Sequence, residues 1–202
     1  INIGDEGYLD GVEISRTDFY TNLPDYPVHP TTGTPGIDTF TKVYEQLTAG
    51  GADGILSIHI SKSLSATIDV ARQAADAFRE IPVTALDSLQ LSLGTGFQVK
   101  RAAEMAMAGA RMDEILAEMA VLARRSIVAA RLSTLEFLRR SGRLNMFMTG
   151  LGSLLQLKPI LTMVEGVPTS TRVRTQQRAE EYLINELEKN AQFEQFALVH
   201  TN

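Results

Sequence analysis

Between Gly36 and Ala49 the apolar residues Ile37, Phe40, Val43, Tyr44 and Leu47 recur at three- and four-residue intervals, and Gly50 with Gly51 closes the segment. That spacing puts one apolar stripe on a helix face, and glycine is a common helix-ending residue. Next comes an almost unbroken apolar run, Gly54 to Ile60, then a helix through about Phe78 and a strand from Pro82 to Leu86. A long Ala/Met-rich helix follows after Gly96 and ends near Gly109. Apolar strands alternating with helices predict parallel βαβ units, in which ligands lie beyond the carboxyl ends of the strands.

Upstream of these units the chain reads as a short extended piece, a turn at Tyr8 to Gly11, a capped helix from Ser15 to Leu23, and a loop carrying Pro24, Pro27 and Pro30. Downstream, a helix from Met112 to Arg125 precedes a change of character. Ser126 to Leu132, Ile160 to Val164 and Val167 to Arg174 read as antiparallel strands, with Glu165 and Gly166 as the turn between the last two. An amphipathic helix over Thr175 to Asn190 and a closing strand over Phe196 to His200 complete the reading. The predicted fold class is α/β in two domains. Residues 1–123 form an N-terminal parallel-sheet α/β/α domain, and 124–202 form a C-terminal α/β domain with a mixed or antiparallel sheet.

Charge supports that division. Residues 1–123 carry 8 basic and 17 acidic side chains, residues 124–202 carry 11 and 7, and the net charge is −5. Such an asymmetry suits a basic face that meets an anionic ligand or an acidic surface. Nucleic acid is disfavoured, because the basic part lacks interleaved aromatic residues. The chain has no cysteine, which removes disulfides, thiolate metal sites and cysteine nucleophiles, and fits a cytoplasmic setting. No apolar run approaches the ~18 residues of a membrane span. The absence of an initiator Met, together with a chain that stops just after its last strand-like run, reads as a piece of a longer protein.

Candidate chemistry concentrates at the first strand end. ILSIHISKSLSAT, Ile55 to Thr67, passes from a buried strand into Ser61, Ser63 and Ser65 at the start of a helix, where backbone N–H groups also lie free. A second hydroxyl cluster, Thr31, Thr32 and Thr34, precedes the Gly36 helix, and the basic turn LRRSGR spans Leu138 to Arg143. Hydroxyls and an arginine fork suit a carboxylate or phosphate. Each hydroxyl also reads as an ordinary cap or turn former, and Arg143 as a solvated charge. Asp87 and Ser88 read as a strand-end turn, and His59 as a core histidine. No G-x-x-x-x-G-K-[ST] loop is present for ATP, and no G-x-S-x-G for a serine hydrolase.

Seven segments in order carry a family resemblance: YLDGVEIS, TTGTPGIDTF, SIHISKSLSAT, LDS, STLEFLRRSGRL, LLQLKPIL and RVRTQQRA. Together they resemble the DegV family of bacterial fatty-acid-binding proteins. Departures lie at Gly33, Gly36 and Lys62, where the family pattern has serine, and at Ala66 and Ser141, where it has glycine. The resemblance also implies an opening strand with a D-S-x-x-D-like loop and a closing segment with a glycine-rich turn, neither of which is in this chain.

What the resemblance implies is a long-chain fatty acid held between the two domains. Thr32 and Ser65 would donate to its carboxylate, Arg143 would be the cationic partner, and Ser61 and Ser63 would be caps or secondary contacts. The tail would lie among Leu64, Ile68, Met146, Leu151 and Leu155, within an apolar group that also includes Phe147, Met148 and Leu154. Burying a tail of ~16 carbons supplies on the order of 10 kcal/mol before entropy costs, so the tail gives affinity and the head group gives orientation. In relatives, such a protein presents the acid to a separate ATP-binding kinase subunit, in phospholipid metabolism. The chain is therefore expected to be non-catalytic, with no metal and no cofactor beyond the fatty acid, and to have the kinase subunit and a transient membrane contact as partners. A lipid transport or storage protein without a kinase is the nearest alternative, and a serine-dependent lipid hydrolase is a more distant one.

Overall fold

The computed structural model describes residues 1–147 and 158–200. Two short strands, β1 (Asn2–Ile3) and β2 (Glu6–Gly7), form an antiparallel hairpin. Helix α1 (Arg16–Asn22) starts where the Ser15 hydroxyl accepts from the Asp18 N–H at 3.0 Å, which satisfies one of the donors that a helix start leaves open. Pro24 lies in the 3-10 turn Leu23–Asp25 that ends it.

Helix α2 (Ile37–Ala49), strand β3 (Ile55–His59), helix α3 (Thr67–Ala77) and strand β4 (Val83–Asp87) follow. Strands β3 and β4 pair in parallel, from Ile55 opposite Val83 to His59 opposite Asp87. Side chains alternate across this pair, so each face meets its own helices. On one face Ile55 and Val83 pack with Tyr44 of α2 and Ala74 of α3. On the other, Leu56, Ile58 and Leu86 pack against helices α4 (Ser92–Met107) and α5 (Met112–Arg125), through Ala102, Ile115 and Met119. Ala71 and Ala74 are completely buried, which lets α3 lie close on the strands.

The second half is a three-stranded antiparallel sheet of β5 (Val128–Arg131), β6 (Lys158–Val164) and β7 (Val167–Val173), with β6 central. Two short helices, α6 (Glu136–Arg140) and α7 (Leu144–Phe147), lie between β5 and β6 in sequence. Helix α8 (Gln176–Lys189) is capped by the Thr175 hydroxyl, which accepts from the Arg178 N–H at 3.2 Å, and packs on this sheet. The α/β class is therefore as the sequence indicates, with one parallel pair, the short β1–β2 hairpin and one three-stranded antiparallel sheet among the described residues.

Two elements depart from expectation. Helix α4 begins at Ser92 and runs through Gly94 and Gly96, where glycines in sequence suggest a stop. Gly94 is there for packing: a Cβ on it would lie 2.8 Å from Val128 Cγ2 and 3.0 Å from Gln90 Oε1. The closing run Phe196 to His200 is not a strand, since no sheet partner among the described residues pairs with it. Its Leu198 and Val199 are exposed.

His59 is half-buried and hydrogen-bonded rather than part of the core that the sequence indicates. Its Nε2 shares a 2.7 Å hydrogen bond with Ser57 Oγ, and Phe40 meets the ring edge-on. Burial holds its pKa below the usual 6.5, partly opposed by the Asp87 carboxylate. Between the folded and unfolded pKa values the unfolded chain binds more protons, so stability should fall as the pH drops below about 6.5 and level off below the folded value. A His59→Gln variant should lose this part of the pH dependence, measured as the unfolding midpoint against pH. An unchanged slope in the variant would contradict the assignment.

Candidate functional site

The carboxyl ends of β3 and β4 are tied together by one carboxylate. Asp87 accepts from the Leu89 N–H at 2.8 Å and from the Lys62 N–H at 3.2 Å, which fixes both strand-end loops. The Ser61 N–H donates to the Gln90 carbonyl at 2.8 Å, and the Ser88 N–H to the His59 carbonyl at 3.0 Å. Ser88 is completely buried and shares a 2.9 Å hydrogen bond with Thr95 Oγ1. It is a structural serine with no histidine on its hydroxyl. The one serine–histidine hydrogen bond among the described residues is Ser57 to His59, under α2.

From these anchors the loop Ser61 to Ala66 turns toward the second half of the chain. Ser61 is fully buried, and its hydroxyl meets Ser63 Oγ at 2.9 Å and the Gly166 carbonyl at 3.4 Å. Gly166 is the second residue of the β6–β7 turn, and its N–H donates to the Leu89 carbonyl at 3.0 Å. Glu165 and Gly166 have φ of 48° and 81°, the left-handed pair of a two-residue hairpin turn that matches strand twist. Beside this junction, Leu64, Phe147, Leu161 and Met163 form a buried apolar cluster, flanked by Leu91, Val128, Leu132 and Leu138.

A shallow cavity of about 270 Å³, wide open to solvent, lies next to Leu64. Its polar wall is made by Thr34, Lys62, Ser65, Ser141 and Arg143, and its apolar wall by Leu64, Ala66 and Met146. Arg143 follows α6, where the half-exposed Glu136 accepts from Arg139 and Arg140; those two guanidinium groups hold its carboxyl down at about 2. The turn at Gly142, with φ of 73°, then brings Arg143 back, and its Nε donates to the Leu64 carbonyl at 3.1 Å. The guanidinium is thereby held on the serine loop, and its Nη1 also donates to the Ser141 carbonyl at 3.4 Å. The ion pairs found among the described residues include neither Lys62 nor Arg143.

Chemically, this arrangement offers an anion one planar donor group, one ammonium and three hydroxyls, with an apolar edge on one side. It offers no metal cage: no cluster of three or more metal-ligating side chains occurs among the described residues. No helix among them is long and apolar enough to cross a membrane.

Of the residues singled out in sequence, Ser65, Arg143, Leu64 and Met146 come together at this cavity. Thr32 does not. Thr31 is bridged to Asn2, and the extended run after it carries Thr34, rather than Thr32, to the cavity wall. Ser61 and Ser63 are not caps of α3, whose N-cap is Ala66; they bond to each other, and Ser61 braces the β6–β7 turn. Ser65 supports the helix start instead, accepting from the Thr67 N–H at 3.2 Å. Ile68 is completely buried in the fold and does not line the cavity. Leu151 and Leu155, with Met148 and Leu154, lie outside the described residues. Lys62 was visible in sequence only as a departure from a pattern, and nothing local marked its position at the cavity.

A family model described as "Uncharacterised protein, DegV family" matches residues 1–202. A DegV domain-containing protein of Listeria innocua is 32% identical over 204 residues, covering 99% of this chain and 72% of that protein. Among solved structures, a fatty-acid-binding DegV family protein from Thermus thermophilus superposes with a TM-score of 0.81 at 35% identity, covering 95% of this chain and 68% of the other. DegV, a fatty acid binding protein from Bacillus subtilis, superposes with a TM-score of 0.83 at 29% identity, covering 93% and 67%.

Proposed function

This chain belongs to the DegV family, and from that membership and the cavity beside Leu64 we propose that it binds a long-chain fatty acid, carboxylate toward Ser65 and Arg143 and tail along the apolar side. The observation that carries this reading is the meeting of a half-buried arginine, hydroxyl donors and an apolar edge in one cavity at a strand end. A buried carboxylate is costly unless hydrogen-bonded and paired, and this wall offers both. The fatty-acid-binding activity of the similar Thermus and Bacillus proteins supports the same class of ligand.

The finer part of the reading is that the bound acid is presented to a separate ATP-binding kinase subunit, which phosphorylates the carboxyl group, and that the units on either side of residue 123 hold the lipid between them. The chain would then act as a carrier in the cytoplasm, meeting membranes only transiently. Acyl-phosphate formation that needs both this protein and the kinase subunit is the discriminating observation; binding without it leaves a transport or storage role.

The head-group assignment is tested by titrating palmitate into the Thr34→Val, Ser65→Ala double variant. Loss of two hydrogen bonds to a charged group should weaken binding by about 10-fold or more. Thr32→Val, outside the cavity, should leave the affinity unchanged. Equal affinities in the double variant and the parent would place the head group elsewhere.

A further inference from the structure

Lys62, which stands where the resemblance in sequence places a serine, adds a cation to the cavity wall. Its backbone is pinned from both sides: Ser61 before it is fully buried, and its own N–H donates to Asp87 Oδ2 at 3.2 Å. The side chain therefore leaves from a fixed point on the cavity wall that also holds Arg143, Ser65 and Ser141. Among the described residues no carboxylate pairs with either cation. Asp87 turns its two oxygens to the Lys62 and Leu89 N–H groups, and Asp69, in the first turn of α3, pairs with Arg72 at 3.6 Å. Two positive charges thus border one small cavity, whereas a fatty-acid carboxylate brings a single negative charge and two oxygens.

We propose that Lys62 is a second cationic head-group contact, and that it makes this cavity prefer a lipid with a doubly charged phosphomonoester head to a carboxylate on the same tail. The proposal rests on the fatty-acid reading of the cavity given above. A phosphomonoester presents three acceptor oxygens and up to two negative charges near neutral pH. That matches two positive charges with up to two negative ones and spreads the arginine fork, the ammonium and a hydroxyl over three oxygens, while a carboxylate accepts from the same donors with only one charge to set against two. Serine at position 62 would supply a donor without charge and remove the preference.

The test is a titration of the full chain, at about pH 8, with palmitate, hexadecyl phosphate and palmitoyl lysophosphatidate. The parent should bind hexadecyl phosphate about 10-fold tighter than palmitate, and Lys62→Ser should bring that ratio to about one, the size expected for one charge-assisted contact. Lys62→Arg should retain the preference, which separates a charge effect from a disturbed fold. Tight hexadecyl phosphate with weak lysophosphatidate would assign a phosphate joined directly to the acyl chain. Tight binding of both would extend the site to glycerol-linked phosphate. Equal affinity of the parent for palmitate and hexadecyl phosphate, or a ratio that Lys62→Ser does not move, would overturn the proposal while leaving the fatty-acid reading in place. Failure of every ligand to bind would overturn both.

Discussion

Replacing Arg143 by methionine is expected to weaken palmitate binding by about 10- to 100-fold, the equivalent of one hydrogen-bonded charge pair lost from a partly buried site. Methionine keeps an apolar stem of similar reach, so the packing beside Met146 and Leu64 is largely preserved while the fork is removed. The variant also gives up the 3.1 Å hydrogen bond from Nε to the carbonyl of Leu64, and one such bond, worth about 1 kcal/mol, is a small part of the stability of the fold. The loss should therefore appear in affinity rather than in the unfolding midpoint. Palmitate titration and thermal unfolding of the same preparation separate the two, and an unchanged affinity would remove Arg143 from the head-group site.

The second large effect concerns the joint between the two halves. Gly166→Ala should destabilise the protein by about 2–4 kcal/mol. Part of this, roughly 1 kcal/mol, is the cost of a side chain at a φ of 81°. The rest is steric. A Cβ at this position would lie 2.9 Å from Leu89 Cδ2 and 3.4 Å from Leu89 Cβ, and Leu89 is itself held at a φ of 56° by the Asp87 carboxylate on its N–H. Overpacking of that kind costs about 1–3 kcal/mol. For a chain of this length the midpoint of thermal unfolding should drop by roughly 5–10 °C. Gly109→Ala is the matched control: its φ is 84°, but nothing lies within 4 Å of the added carbon, so only the conformational cost applies. Equal losses in the two variants would show that the β6–β7 turn does not bear on the Leu89 loop.

These two residues also mark what sequence can and cannot convey. The Glu165–Gly166 turn was legible because a two-residue hairpin needs left-handed backbone, and glycine between two apolar runs signals it. Its docking against Leu89 was not, since the contact joins residues far apart in the chain. The apolar period of α2 and the strand runs of β3 and β4 marked those three elements from local pattern alone. The start of α4 escaped because Gly94 and Gly96 read as breakers, while Gly94 is required by the close approach of Val128. Thr34 and Lys62 escaped for a related reason. A family pattern aligns residues along the chain, but which of several neighbouring hydroxyls or cations reaches a cavity depends on how an extended segment is pinned, here by the bridge of Thr31 to Asn2 and the bond of Lys62 N–H to Asp87. The apolar run Phe196 to His200 shows the converse failure. Alternation and composition indicated a strand, but a strand exists only where a neighbour supplies its hydrogen bonds.

Mass spectrometry of the purified protein under native conditions, followed by denaturing extraction of whatever it carries, tests the central claim most directly. Fatty-acid binding predicts a mass increment on the folded protein that extracts as a long-chain fatty acid, or one that forms at a one-to-one ratio when palmitate is added to lipid-free protein. A folded protein that carries no lipid and takes up none on addition would contradict it.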